Sequence, residues 1–272
     1  MQISISSLAY IPILMLLTFI IMALQEEFEK QSLWLLKYGK AFPYIMLMVG
    51  YLLLIKSEKY PSGLILRQSP YEKLYEALCL GLSLSGCLLR IITMGYTPKA
   101  SVPDQKGVFT PHHYTFGAYS IVCHPLYLGN FIIWLGMIII TGTFWFIISF
   151  ALLYFIYLER IMMAKEKQLK LKFGFKYSRW ADNVPAILPN VWLYKKPHST
   201  FNWKKVSQRE TGRLCTTFFI YFVFEISCQV IERKNNYNFI LLMISAVLGI
   251  IYTVTNFSFI TSFIRRLIVK MR

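Results

Sequence analysis

Apolar runs near residues 8 to 24, 40 to 55, 74 to 95, 119 to 140, 142 to 158, 214 to 231 and 237 to 257 leave this chain little choice of solvent. A helix crossing a hydrocarbon core about 30 Å thick needs roughly 20 apolar residues. Inside lipid the backbone must also satisfy its own polar groups, so such runs fold as helices. With 56% hydrophobic and only 15% charged residues among 272, the chain holds more apolar material than a soluble domain could bury. The expectation is an all-α fold: a polytopic integral membrane helical bundle of about seven spans, in a range of roughly five to eight because several runs are short. The first run has neither a basic segment before it nor a small-residue cleavage site after it, and reads as a retained helix rather than a signal peptide.

Charge suggests an orientation. Residues 159 to 213 carry thirteen Lys or Arg against four acidic residues, and the tail adds Arg265, Arg266, Lys270 and Arg272. Basic loops stay in the cytoplasm, so both segments are expected there. About seven spans then put the amino terminus outside and the loop 96 to 118 inside, beside the long basic segment, while Lys56, Lys59, Arg67 and Lys73 run against the rule. The net charge of +16 flanks spans, where basic residues meet anionic lipid headgroups, so the bilayer and a lipid are the expected partners and nucleic acid is not. Oligomeric state is not readable from the sequence. Cys79, Cys87 and Cys228 fall in predicted spans, where cysteine behaves as a small apolar residue, and no close pair has ligand spacing; neither a metal site nor a disulfide framework is expected. No Gly-x-Gly-x-x-Gly follows a strand-like run, so a doubly wound nucleotide fold has no support, and no period of 20 to 50 residues repeats. The organisation reads as amino-terminal helices and loops over 1–73, a core over 74–195, and a basic linker with a two-helix membrane extension over 196–272.

Two blocks in the core carry polar residues at fixed spacing. The first runs Thr115-Phe116-Gly117-Ala118-Tyr119-Ser120-Ile121-Val122-Cys123-His124-Pro125-Leu126-Tyr127-Leu128-Gly129. Pro125 suits a first helical turn, where a missing N–H costs little. His124 and Tyr127 then share a helix entrance, and Gly129 removes a side chain from the adjoining surface. The second block runs Glu166-Lys167-Gln168-Leu169-Lys170-Leu171-Lys172-Phe173-Gly174-Phe175-Lys176-Tyr177. A continuous helix from Phe144 to Lys172 is roughly 43 Å long, so its last turns project beyond the hydrocarbon, with Glu159, Met162, Glu166, Leu169 and Phe173 along one stripe. Taken by themselves, these residues allow two readings. His124 and Tyr127 are interfacial anchors and Glu166 a solvated partner of Lys170, or the blocks form one binding site.

Together the blocks resemble the paired signature of a superfamily of integral-membrane methyltransferases that includes isoprenylcysteine carboxyl methyltransferase, phospholipid N-methyltransferases and lipid A phosphate methyltransferases. That signature is roughly Thr-x-Gly-x-Tyr-x-x-x-Arg-His-Pro-x-Tyr-x-Gly followed by Glu-Glu-x-x-Leu-x-x-x-Phe-Gly-x-x-Tyr, and the likeness covers about residues 95 to 192. The resemblance implies S-adenosylmethionine as cofactor, contacted by Tyr119, His124, Pro125, Tyr127, Leu128 and Gly129 from the first block and Glu166, Leu169 and Tyr177 from the second, on the cytoplasmic side. A helix amino terminus favours the cofactor's carboxylate. Two positions depart from the pattern: Cys123 stands where relatives have Arg, and Lys165 where they have the first Glu. They signal either a rearranged charge pair or decayed catalysis. Arg160, Lys165 and Arg179 are the candidates for presenting a positive charge to the acceptor.

Methyl transfer needs in-line positioning more than covalent help. An anionic oxygen needs no general base, whereas an amine does, so the basic surroundings favour an anionic oxygen on a lipid. Gly95-Tyr96-Thr97-Pro98-Lys99, Leu128-Gly129-Asn130 and Tyr177-x-x-Trp180-Ala181 look most like the lipid A phosphate branch, which implies a bacterial inner membrane. Three alternatives stand beside it. Isoprenylcysteine carboxyl methylation would need a prenyl-sized lateral opening. An NADPH-dependent sterol-type reductase is suggested by Phe173 to Trp180 and Val184 to Pro189, which also resemble those enzymes. A catalytically silent scaffold would suit Cys123 and Lys165. Both blocks are expected to converge on one cavity, with Tyr177, Trp180, Val184 and Leu188 forming an amphipathic cover or, equally, a surface loop with aromatic anchors.

Overall fold

The computed structural model describes residues 38–59, 71–97, 115–197, 199–231 and 238–271, with short helical pieces between 27 and 35. The run over 8 to 24, and Pro98 and Lys99, lie outside the described residues. All regular structure among the described residues is helical: α1 (Phe42–Lys59), α2 (Glu72–Tyr96), α3 (Ala118–Ile121), α4 (Pro125–Ile139), α5 (Phe144–Phe173), α6 (Phe175–Ala181), α7 (Trp203–Ile231) and α8 (Ile240–Met271). Four of these, α2, α5, α7 and α8, are long and apolar enough to cross a membrane, and two shorter apolar helices, Phe42–Lys56 and Pro125–Ile139, stand beside them.

The six run up and down. Gly86 lies against Gly129 and Gly136 against Ser83, so α2 and α4 are antiparallel. Tyr51 bonds Ser227 at 2.8 Å, while Asn202 donates to the Gly95 carbonyl at 2.9 Å. These contacts bring the C-terminal end of α2 together with the N-terminal ends of α4 and α7, and Glu166 of α5 joins them at His124; this is here called the His124 end. Glu72, Ile140, Gln229 and Asn238 gather at the opposite, Glu225 end.

Small residues set the closest approach. A Cβ on Gly86 would sit 2.7 Å from the Gly129 carbonyl oxygen, and one on Gly136 would sit 2.3 Å from Ser83 Oγ. Only glycine lets these backbones meet, as in other membrane helix pairs. Ser83 donates to the Ile133 carbonyl at 2.9 Å and pairs with the Tyr221 hydroxyl at 2.9 Å, which ties α7 to that seam. Around it Ile133, Met137, Ile138, Phe150, Tyr154 and Phe224 form the buried core.

Two helix boundaries differ from the hydropathy reading. The run 119 to 140 is interrupted over Val122 to His124, where Val122 is extended and His124 leaves helical geometry at φ −125° and ψ 58°. Pro125 is the cause, because its ring disfavours helical backbone in the preceding residue. It then serves as the first residue of α4. Helix α7 begins eleven residues before the run expected from 214, because its polar first turns are bound from α2 rather than by lipid: Lys205 Nζ donates to the Thr97 carbonyl at 2.9 Å, and Glu210 is held by Arg90.

Candidate functional site

The first block is held in place by a strap formed by residues 184–195. An extended Val122 and a broken helix leave backbone groups that need partners. Cys123 N donates to the Pro185 carbonyl at 2.9 Å, Asn190 N to that of Ile121 at 3.0 Å, and Gly117 N to that of Lys195 at 2.8 Å. Ser120 Oγ accepts from Lys195 N at 2.9 Å. Gly117 adopts φ +65°, a left-handed conformation that favours glycine and starts α3. The Cys123 thiol donates to the Val184 carbonyl at 3.1 Å. Burial, and then the nearby Glu166, push this thiol up to about 11. Cys123 is therefore a buried, neutral donor that fastens the strap.

The second block arrives on α5, a 30-residue helix that outruns the bilayer at about 45 Å. Gly174, at φ +56°, ends it and turns the chain into α6. On the last turns Glu166 meets the first block: its Oε1 lies 3.2 Å from His124 Nε2. His124 is only 7% exposed, and its ring stands edge-on to Tyr127 at 5.9 Å between centroids. From α6, Tyr177 is buried and packs on Trp180 at 5.5 Å. Burial, then the nearby Glu166 carboxylate, raise the Tyr177 phenol above its ordinary range. The Tyr177 hydroxyl and the Trp180 indole N–H are buried yet bond to nothing among the described residues.

His124, Glu166 and Tyr177 thus come together with Tyr127 and Trp180 beside them. One carboxylate, two unsatisfied donors and three aromatic faces can bind hydroxyls and a carboxylate, and can hold a cation against the rings. The other expected residues take different places. Pro125 is buried in the first turn of α4, the Leu128 amide donates to the His124 carbonyl at 3.1 Å, and Tyr119 and Leu169 are half-buried. Gly129 lies at the α2 contact, where a Cβ would come 2.6 Å from Arg90 Cγ. Of the three candidate acceptor cations, Arg160 stacks over the distant Phe28 at 3.5 Å, while Lys165 donates to Gln168 at 3.2 Å and Arg179 lies over Phe175 at 4.9 Å, both local contacts. Of the segment expected to cover the site, Tyr177 and Trp180 face inward while Leu188 is exposed, with Trp192 beyond it at 92% exposure.

Sequence reading missed a second polar cluster. Arg90 grips Glu210 with two hydrogen bonds, Nε to Oε2 at 2.9 Å and Nη2 to Oε1 at 2.7 Å, and donates from Nη1 to the Leu126 carbonyl at 2.9 Å. Arg213 donates to Asn130 Oδ1 at 3.1 Å. The available signal was Arg90 itself, the one basic residue inside the apolar run 74 to 95.

No protein-family model, curated protein or solved structure matches the chain.

Proposed function

We propose that this chain is an S-adenosylmethionine-dependent membrane methyltransferase acting on a lipid or lipid-linked acceptor, an anionic oxygen such as a lipid A phosphate. In this reading it has about seven spans and sits in a bacterial inner membrane with the His124 end toward the cytoplasm. The observation that carries the reading is the 3.2 Å contact between His124 and Glu166, which joins two motif blocks 42 residues apart. The residues present fit the cofactor: the buried Tyr177 hydroxyl and Trp180 N–H await acceptors, and Glu166 can accept from a ribose hydroxyl or an amino group. S-adenosylmethionine, when bound, would supply an activated methyl group on a sulfonium. Glu166 would hold the nucleoside or amino-acid end by charge-assisted hydrogen bonds, with His124 fixing the carboxylate's direction. Tyr127, Tyr177 and Trp180 would surround the sulfonium and exclude water. No proton needs to move if the acceptor is already ionised.

The test has two parts. Titrating adenosylmethionine or its demethylated product into the detergent-solubilised protein should give saturable binding that Glu166→Gln weakens. Lipid mass spectrometry of cells with and without the gene should then show a lipid heavier by one methylene. Binding of NADPH instead would favour the reductase, and binding of neither would favour the scaffold.

A further inference from the structure

Three charged side chains meet where α2, α4 and α7 cross, and their charges do not cancel. Arg90 is 5% exposed and uses both Nε and Nη2 on Glu210, a bidentate geometry that neutralises the pair. Arg213 has only the edge of that carboxylate: its Nε lies 3.3 Å from Glu210 Oε2 but is not aligned for a hydrogen bond. Its Nη1 is held by Asn130, a neutral residue. Among the described residues one carboxylate therefore serves two guanidiniums, and the cluster keeps one net positive charge, with Arg213 the less closely held of the two cations. A half-buried guanidinium that shares its carboxylate with a second guanidinium is incompletely compensated, and a neutral amide adds no opposing charge.

The place of this charge narrows its partner. Arg213 is 36% exposed, so part of the guanidinium can be reached from outside the bundle. The apolar run of α7 starts at the next residue, Leu214, which puts Arg213 where hydrocarbon gives way to headgroups. A planar guanidinium suits the oxygens of a phosphate or carboxylate, and anionic lipids present such oxygens at this depth.

We propose that Arg213, oriented by Asn130 and Glu210, is the headgroup-binding residue of an anionic-lipid site at the His124 end. The site stands whether or not methyl is transferred. Only the added statement that this lipid is the methyl acceptor rests on the methyltransferase reading.

Native mass spectrometry of the delipidated full chain, reloaded with phosphatidylglycerol or phosphatidylcholine, tests it. Wild type should retain phosphatidylglycerol about tenfold over phosphatidylcholine, and Arg213→Gln should remove most of that preference. Arg213→Lys, which keeps the charge without the fork, and Asn130→Ala, which keeps the fork without its support, should each lose roughly threefold. These two variants carry the comparison if Arg213→Gln does not fold. Arg209→Gln, an exposed cation one turn earlier, should lose less than about twofold. Equal losses at 209 and 213 would mean diffuse surface attraction and overturn the site, as would unchanged retention in Arg213→Gln. Displacement of the lipid by millimolar inorganic phosphate would overturn the lipid assignment in favour of a free anion. Glu166→Gln should leave lipid retention unchanged, so loss of cofactor binding and loss of lipid binding report on separate conclusions.

Discussion

The two ends of the bundle are built from the same long helices but are held together differently. At the His124 end, polar groups find partners far away in sequence: Cys123 with Val184 and Pro185, His124 with Glu166, Arg90 with Glu210. At the Glu225 end, a cavity of about 740 Å³ opens between α2, α4, α7 and α8, with Glu72, Glu76 and Glu225 on its walls and Lys73 among them. There Glu225 accepts from Gln229, one turn along its own helix, at 3.2 Å. Long-range polar contacts fix side chains relative to one another to within a fraction of an ångström, whereas local ones fix them only relative to their helix. Hydroxyls cross between helices at this end too, Tyr75 to the Ile139 carbonyl and Tyr51 to Ser227, so the contrast lies in the charged groups: the basic end holds its ion pairs across the bundle, whereas Glu225 bonds within its own helix.

The hardest test of this contrast is Glu210→Ala, which leaves Arg90 buried without its partner. It should cost about 3–5 kcal/mol of stability. Glu225→Ala at the open end should cost less than about 1 kcal/mol, and equal losses by thermal unfolding in detergent would erase the distinction. Next in size is cofactor affinity. Glu166→Gln should weaken adenosylmethionine binding by roughly ten- to two-hundredfold, on the order of 1.5–3 kcal/mol. Glu159→Gln should matter less, and Glu225→Gln should change affinity by less than about twofold. Trp180→Ala removes one donor and should lower affinity by about 1 kcal/mol, weakening cofactor binding more than folding. A drop in stability at equal affinity would make the residue a membrane anchor instead.

The smallest effect belongs to Cys123. Folding raises its thiol from 9.0 to about 11, so the protonated form is favoured in the folded state. Its contribution to stability is intact below pH 9 and falls as the pH rises toward about 11. The thiolate absorbance that distinguishes wild type from Cys123→Ser should accordingly appear with a midpoint near pH 11, and a midpoint near 9 would contradict the buried donor.

Most of the helix pattern was legible because it is local. The runs 74 to 95 and 142 to 158 became Glu72–Tyr96 and the first half of Phe144–Phe173, since apolar length alone decides such segments. The meeting of His124 with Glu166 was legible through two spaced motifs. The Arg90 cluster was not, because Glu210 lies 120 residues away in a segment that hydropathy assigns to a polar linker. Arg160, Lys165 and Arg179 lie near the second block in sequence, but nearness does not set direction: Arg160 and Lys165 leave α5 at different angles, and Arg179 belongs to α6. Cys123 looked like a lost charge. Only the path of the strap reveals it as a hydrogen-bond donor.

The Arg90 to Glu210 pair also constrains biosynthesis. A ribosome adding about 5–20 residues per second makes Arg90 roughly 6–24 s before it makes Glu210. Throughout that interval α2 exists with a bare guanidinium in its apolar stretch, at a cost below the roughly 2.5–3.5 kcal/mol of a helix centre because Arg90 lies within two turns of the helix end. The nascent chain must keep Arg90 near the interface or in the translocon until α7 emerges. The seam between α2 and α4 therefore closes around a charge whose neutraliser has yet to be translated.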